Sequence, residues 1–188
     1  MPNRFEEDPE LYGLMFAIRR SARYHSKSAG FYHALHKISC SIAVILSSAA
    51  VSTLFTETSE IVKYLPAVVA IVSTLDLVFG FSTKYWTHSD LTRKWVALER
   101  RLVTDDNPKA SEYIAERLSI EETEPSKKQV LDILCHNDLV MAYGFERDNP
   151  TEFKRNYYQI GWFTKMTAHF FSWDSYKAKS LAETQAAG

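Results

Sequence analysis

ISCSIAVILSSAAVSTLFT at residues 38–56 and YLPAVVAIVSTLDLVFGFST at residues 64–83 decide the fold of this chain. The first segment holds no charged residue, and the second holds only Asp76. At a helical rise of about 1.5 Å per residue, each covers roughly 28–30 Å, the thickness of a bilayer's hydrocarbon core. The connection ETSEIVK at 57–63 allows little beyond a tight turn. The pattern predicts a transmembrane helical hairpin in an all-α membrane protein. A soluble bundle with two long core helices is the competing reading. It calls for a polar face at helical spacing. The polar positions here carry hydroxyls, which bond the carbonyl one turn back and so tolerate lipid.

Charge placement orients the hairpin. No acidic residue lies between Leu11 and Thr56, while Arg19, Arg20, Arg23, Lys27 and Lys37 all fall there. Lys84, Arg93, Lys94, Arg100 and Arg101 follow the second segment, and the loop holds Glu57, Glu60 and Lys63. Basic residues at the outer ends place both termini in the cytoplasm and the loop outside. The expected organisation is an N-terminal basic amphipathic helix at 1–37, the hairpin at 38–83 and a cytoplasmic helical region at 84–188. The N-terminus lacks an apolar stretch behind a basic start, so it does not read as a cleavable signal.

Leu11, Met15, Ile18, Ala22, His25, Ala29, Tyr32 and His36 recur at helical spacing and predict one long helix over 9–36. Arg19, Arg20, Arg23 and Lys27 lie opposite, where they suit anionic headgroups. Tyr85 and Trp86 fit an aromatic belt at the membrane boundary. Beyond them Leu91, Trp95, Leu98 and Leu102 form a second helical stripe that continues the second span. A helix over 110–120 follows, then one opened by Ser126 and Gln129 in a capping-box pattern and stopped at Gly144. Residues 151–179 interleave nine aromatics with Lys154, Arg155, Lys165, Lys177 and Lys179. They predict a C-terminal amphipathic, aromatic-rich helix, either on the inner leaflet or covering the cytoplasmic bundle. Residues from Ala182 on read as a frayed tail.

No chemistry-bearing motif emerges. The chain lacks a phosphate-binding glycine loop, a nucleophile elbow and paired zinc cysteines, so it does not read as an enzyme. His88, Ser89 and Asp90 are consecutive, and on a helix they point apart. His33 and His36 stand at a spacing that can bind metal, but no cysteine or carboxylate is read beside them, so neither metal nor cofactor is assigned. Cys40 and Cys135 are too far apart in sequence and setting to suggest a disulfide framework. A net charge of −1 gives no basis for direct nucleic-acid binding.

RYHSKSAGFYHALHK at 23–37, the two Ser/Thr-rich spans and HSDLTRKWVALE at 88–99 together resemble the SLATT family. These are bacterial two-helix membrane effectors found beside nucleotide-signalling and reverse-transcriptase defence genes. The resemblance covers nearly the whole chain and rests on architecture more than on any catalytic signature. It implies an anti-phage effector in the bacterial inner membrane that oligomerises and permeabilises or depolarises it. It also implies a regulatory partner encoded nearby, a nucleotidyltransferase or a reverse transcriptase.

The residues are compatible with that mechanism. Ser73, Asp76, Gly80 and Thr83 recur at three, four and three residues and are candidates to line a pore. A carboxylate facing lipid costs about 2.5–3.5 kcal/mol, so Asp76 should face protein or water, with a first-span serine or Lys84 as an alternative static partner. Ser41, Ser48 and Ser52 give the first span a small face suited to close helix packing in a homo-oligomer. Two other readings stay open: a membrane-anchored scaffold that recruits a cytoplasmic enzyme without forming a pore, and a soluble helical adaptor or enzyme.

Overall fold

The computed structural model describes residues 8–52, 64–144 and 148–186, with side chains up to residue 48 in the first stretch. The loop at 57–63, the last residues of the first span, Glu7 and the Ser52 side chain lie outside the described residues. The chain divides into two compact units: Met1–Ser26 with Asp90–Gly188, and Lys27–Ser89. Helices α1 (Pro9–Ser52) and α3 (Phe81–Thr104) contribute to both.

In the first unit, α1 starts where Asp8 accepts the Glu10 and Leu11 amides (2.9 and 3.2 Å), and Pro9 follows as a first-turn residue. The predicted apolar stripes become the core. Leu11, Leu14, Met15, Ile18 and Ala22 of α1 pack against Leu91, Trp95, Leu98 and Leu102 of α3. Helix α4 (Ala110–Glu122) closes this core with Tyr113 and Ile120. A second cluster joins Tyr24 to Val130, Leu131 and Cys135 of α5 (Gln129–Ala142) and to Ala168. Cys135 is buried and Cys40 exposed, and both are free thiols.

Two sequence expectations give way in this unit. Ser126 does not cap α5: the helix starts three residues later, with Lys128 at the N-cap position and no side-chain cap. Gly144 does stop the helix, at φ 75°. The larger correction is at the C-terminus, where residues 151–179 are not one helix. The segment folds as α6 (Pro150–Asn156), β1 (Tyr158–Gln159), α7 (Trp162–Thr167) and β2 (Lys179–Ser180), followed by α8 (Leu181–Ala186). β1 and β2 pair antiparallel, Tyr158 opposite Ser180.

Two features break the expected helix. The Asn137 carboxamide donates to the Tyr158 carbonyl (2.7 Å) and accepts its amide (3.0 Å), so it satisfies extended backbone as a neighbouring strand would. Trp173 takes a positive φ of 54°, incompatible with a continuing right-handed helix. Residues 182–186, expected as a frayed tail, are helical. Ser180 and Glu183 exchange hydrogen bonds (2.8 and 3.2 Å) as a capping box that opens α8.

The second unit holds the apolar helices. His36, Ser39, Ala43 and Leu46 of α1 are half-buried at helical spacing, as are Leu65, Val69, Val72 and Asp76 of α2 (Leu65–Phe79). These are the inner seams of the hairpin. Further along, Tyr32 stacks on His88 (5.6 Å between ring centroids) and His33 on Tyr85 (4.5 Å). The second span is not one helix running into α3. Gly80 interrupts it in the left-handed conformation, φ 59° and ψ 45°. Its amide still donates to the Asp76 carbonyl and its own carbonyl accepts the Lys84 amide, each at 2.9 Å. Asp76 and Tyr85 are nine residues apart while their partners His36 and His33 are three apart, and the Gly80 interruption lies inside that longer path.

Candidate functional site

The hairpin unit carries the features that distinguish this chain. Pro9–Ser48 and Leu65–Thr104 are each long and apolar enough to cross a membrane. Within their apolar windows, 6% of the first and 0% of the second are buried inside the protein. Val44, Ile45, Ile71 and Val78 are exposed, and Leu77 is 82% exposed. Core helices of a soluble bundle would have these side chains enclosed, since a contiguous apolar surface of this extent is not stable in water.

Two hydroxyls on these helices are satisfied internally, as lipid favours. Ser48 donates to the Val44 carbonyl (2.8 Å) and Thr74 to the Ala70 carbonyl (2.7 Å), each one turn back. Ser41 and Ser48 are exposed on the outer side, away from the seam positions. Ser73, Asp76, Gly80 and Thr83 do not form the continuous stripe their spacing predicts. Ser73 and Thr83 are exposed, Asp76 is half-buried in the seam, and Gly80 is the helix break that shifts the phase of Thr83.

Asp76 has a partner that the sequence reading did not identify. His36 Nδ1 lies 3.1 Å from its Oδ2 and 3.5 Å from its Oδ1, and among the described residues the carboxylate is bonded neither to a serine nor to Lys84. The Lys84 ammonium sits over the Tyr32 ring, 5.5 Å from its centroid. Cys40 joins the pair, its Sγ 3.9 Å from His36 Nδ1 and 3.8 Å from Nε2. The expectation that no cysteine or carboxylate stands beside His36 is therefore wrong. Cys40 follows it at i+4 on the same face, a relation visible in the sequence. Asp76 is brought in by the return of the chain. Of the residues placed at the membrane boundary, Tyr85 is half-buried against His33, and Trp86 and Lys27 are exposed.

In the other unit, a polar node ties α1 at His25 to Glu124, beyond α4. Glu124 is 5% exposed at its side chain. Its Oε1 accepts His25 Nε2 (2.7 Å) and Trp95 Nε1 (2.6 Å), and its Oε2 accepts Lys127 (2.9 Å). Burial alone pushes this carboxyl up, and the bonds from His25 and Lys127 outweigh it, holding the group below its ordinary value. Arg19 and Arg20, expected at the membrane surface, are ion-paired within this unit. Arg19 bonds Glu99 (2.7 Å) and the Tyr143 hydroxyl (2.8 Å), and these bonds raise its pKa against the lowering effect of burial. Arg20 faces Asp132 at 3.4 Å. Arg23 is half-buried.

An open pocket of about 580 Å³ lies between α5 and the C-terminal segment. Lys165, Lys177 and Lys179 line it with Tyr157 and Tyr176, and among the described residues no acidic one does. His136, near the neighbouring cavity, has its pKa lowered by burial although its Nε2 donates to the Asn156 carbonyl (2.9 Å). His88 and Asp90, either side of Ser89, have separate partners: His88 stacks on Tyr32, and Asp90 pairs with Lys94 at 3.1 Å. Comparison with protein-family models, with curated proteins and with solved structures finds no match.

Proposed function

We propose that this chain is a membrane-embedded effector of a bacterial anti-phage defence system. Its hairpin spans the inner membrane with both termini and the helical region at 84–188 in the cytoplasm. On activation by a partner encoded nearby it assembles into homo-oligomers that permeabilise or depolarise that membrane. The observation that carries the reading is the pair of long apolar helices whose surfaces the protein itself leaves uncovered. Lipid is the cover that costs least, since each buried apolar side chain gains roughly 1.5–3 kcal/mol on leaving water.

The charge asymmetry across the hairpin supports the orientation. Exposed Ser41 and Ser48 supply a small outer face on which hairpins can approach each other. The defence context and the partner, a nucleotidyltransferase or reverse transcriptase, follow from the resemblance to the SLATT family carried by residues 23–37 and 88–99. In the single chain the Asp76 carboxylate is engaged by His36, so exposed Ser73 and Thr83 are the more immediate polar positions for a wet path.

The test is membrane potential in cells that express this chain with and without its genomic neighbours. Depolarisation that requires both the chain and the activated partner supports the reading. Full potential after activation, with the chain still binding its partner through residues 85–188, would establish a scaffold in place of a permeabilising effector.

A further inference from the structure

The cluster at one end of the hairpin seam has the composition and spacing of a metal site. His36, Cys40 and Asp76 each offer one ligand atom, and the three atoms lie within 4.8 Å of one another. A tetrahedral zinc-class ion takes nitrogen and oxygen at about 2.0–2.1 Å and sulfur at about 2.3 Å, which sets neighbouring donors about 3.3–3.6 Å apart. The observed spacings are 3.1 Å for His36 Nδ1 to Asp76 Oδ2 and 3.9 Å for Cys40 Sγ to His36 Nδ1. Those two spacings are within a few tenths of an ångström of the tetrahedral edge, and the Cys40–Asp76 pair, held within 4.8 Å, closes onto one ion by side-chain rotation. Two donors stand one turn apart on α1, and the third comes from α2.

Charge selects the kind of ion. A thiolate and a carboxylate bring two negative charges beside an apolar span, and a divalent cation cancels both, leaving a neutral centre that a low-dielectric boundary tolerates. Imidazole, thiolate and carboxylate together form a borderline donor set. Magnesium and calcium call for oxygen ligands, and copper(I) for soft ones throughout. We propose that His36, Cys40 and Asp76 bind a divalent transition-metal ion of the zinc class, with a fourth position open to water or to a donor from outside the hairpin.

Binding releases the Cys40 thiol proton, moves the His36 ring proton to Nε2 and frees Nδ1 to ligate. The ion then staples α1 to α2 at that depth. This inference rests on the hairpin geometry and holds whether or not the assembly conducts.

The test uses the full chain, purified in detergent, stripped of metal and titrated with cobalt(II). The expected result is one ion per chain, with a thiolate-to-cobalt band in the near ultraviolet and the intense visible absorption of four-coordination, both removed by zinc. Cys40→Ser, at an exposed position where folding is not at stake, should abolish the thiolate band. Asp76→Asn and His36→Gln should each cause loss of binding. His33→Gln, whose ring stacks on Tyr85 outside the cluster, should leave the titration unchanged. A thiolate band that persists in Cys40→Ser, or cobalt uptake unaffected by Asp76→Asn, would overturn the assignment.

Discussion

Replacing Glu124 with glutamine probes what holds α1 at His25 to the rest of its unit. The substitution keeps the size of the side chain and removes its charge. In the native chain one carboxylate oxygen accepts from both Trp95 and His25, and the other accepts from Lys127. The glutamine oxygen can keep the first two in weakened form, since neither is then a bond to an anion. Its amide turns a donor toward the Lys127 ammonium, which loses an ionic partner and keeps the Ser21 hydroxyl at 3.1 Å. Hydrogen bonds to a charged group contribute about 1.5–3 kcal/mol each, and breaking a buried pair costs about 3–5 kcal/mol. Partial retention brings the expected loss to about 2–4 kcal/mol.

Thermal unfolding of the detergent-solubilised chain, followed by circular dichroism, should show Tm falling by roughly 10 °C at pH 7. The pH dependence has a defined sign. Glu124 is held below the ordinary value of 4.5, so its contribution is complete above that value and is lost as pH falls through the lower folded-state pKa. The gap between wild type and Glu124→Gln should therefore narrow below about pH 4.5 and not above it. A Tm change within about 2 °C at pH 7, or a gap that stays constant down to about pH 3, would refute the reasoning.

Asn137→Ala removes both bonds that the carboxamide makes to Tyr158 and should cost about 2–3 kcal/mol, with hydrogen exchange accelerating at residues 157–160 before the rest of the unit. Gly80→Ala forces a side chain into the left-handed region at a cost of about 1–2 kcal/mol. Its Cβ would meet nothing closer than Thr83 at 3.9 Å, so the penalty is conformational and should appear as a lower melting point without aggregation. Ser41→Leu with Ser48→Leu obstructs the small outer face of the first span and should shorten crosslinking ladders in membranes. Unchanged ladders would move the oligomer contact elsewhere.

The parts of the fold governed by local periodicity were legible before the structure. Leu11, Met15, Ile18 and Ala22, and then Leu91, Trp95, Leu98 and Leu102, recur at helical spacing because one face of each helix must leave water. Those residues are the observed core. The near absence of charge over 38–56 and 64–83 likewise pointed to the two apolar helices. Contacts distant in sequence were not legible. Nothing around Glu124 marks it as buried, since its partners His25 and Trp95 lie 99 and 29 residues away.

Gly80 sits in an apolar run where glycine reads equally as a packing residue or a break, and only its backbone angles distinguish the two. At the C-terminus aromatic content suggested a helix, while the extended conformation depends on Asn137 reaching from α5. Two signals were local and readable. One is the Ser180–Glu183 capping box, and the other is Cys40 at i+4 from His36.

The most direct test of the account is the topology of the hairpin. Fusions of a phosphatase active only outside the cytoplasm, placed at Met1, Thr58 and Gly188 of the full chain in membranes, read it residue by residue. Activity at Thr58 alone, with the protein resistant to alkaline extraction, is the predicted result. Activity at Gly188, or release of the chain into the supernatant without detergent, would contradict a two-span hairpin with both ends in the cytoplasm.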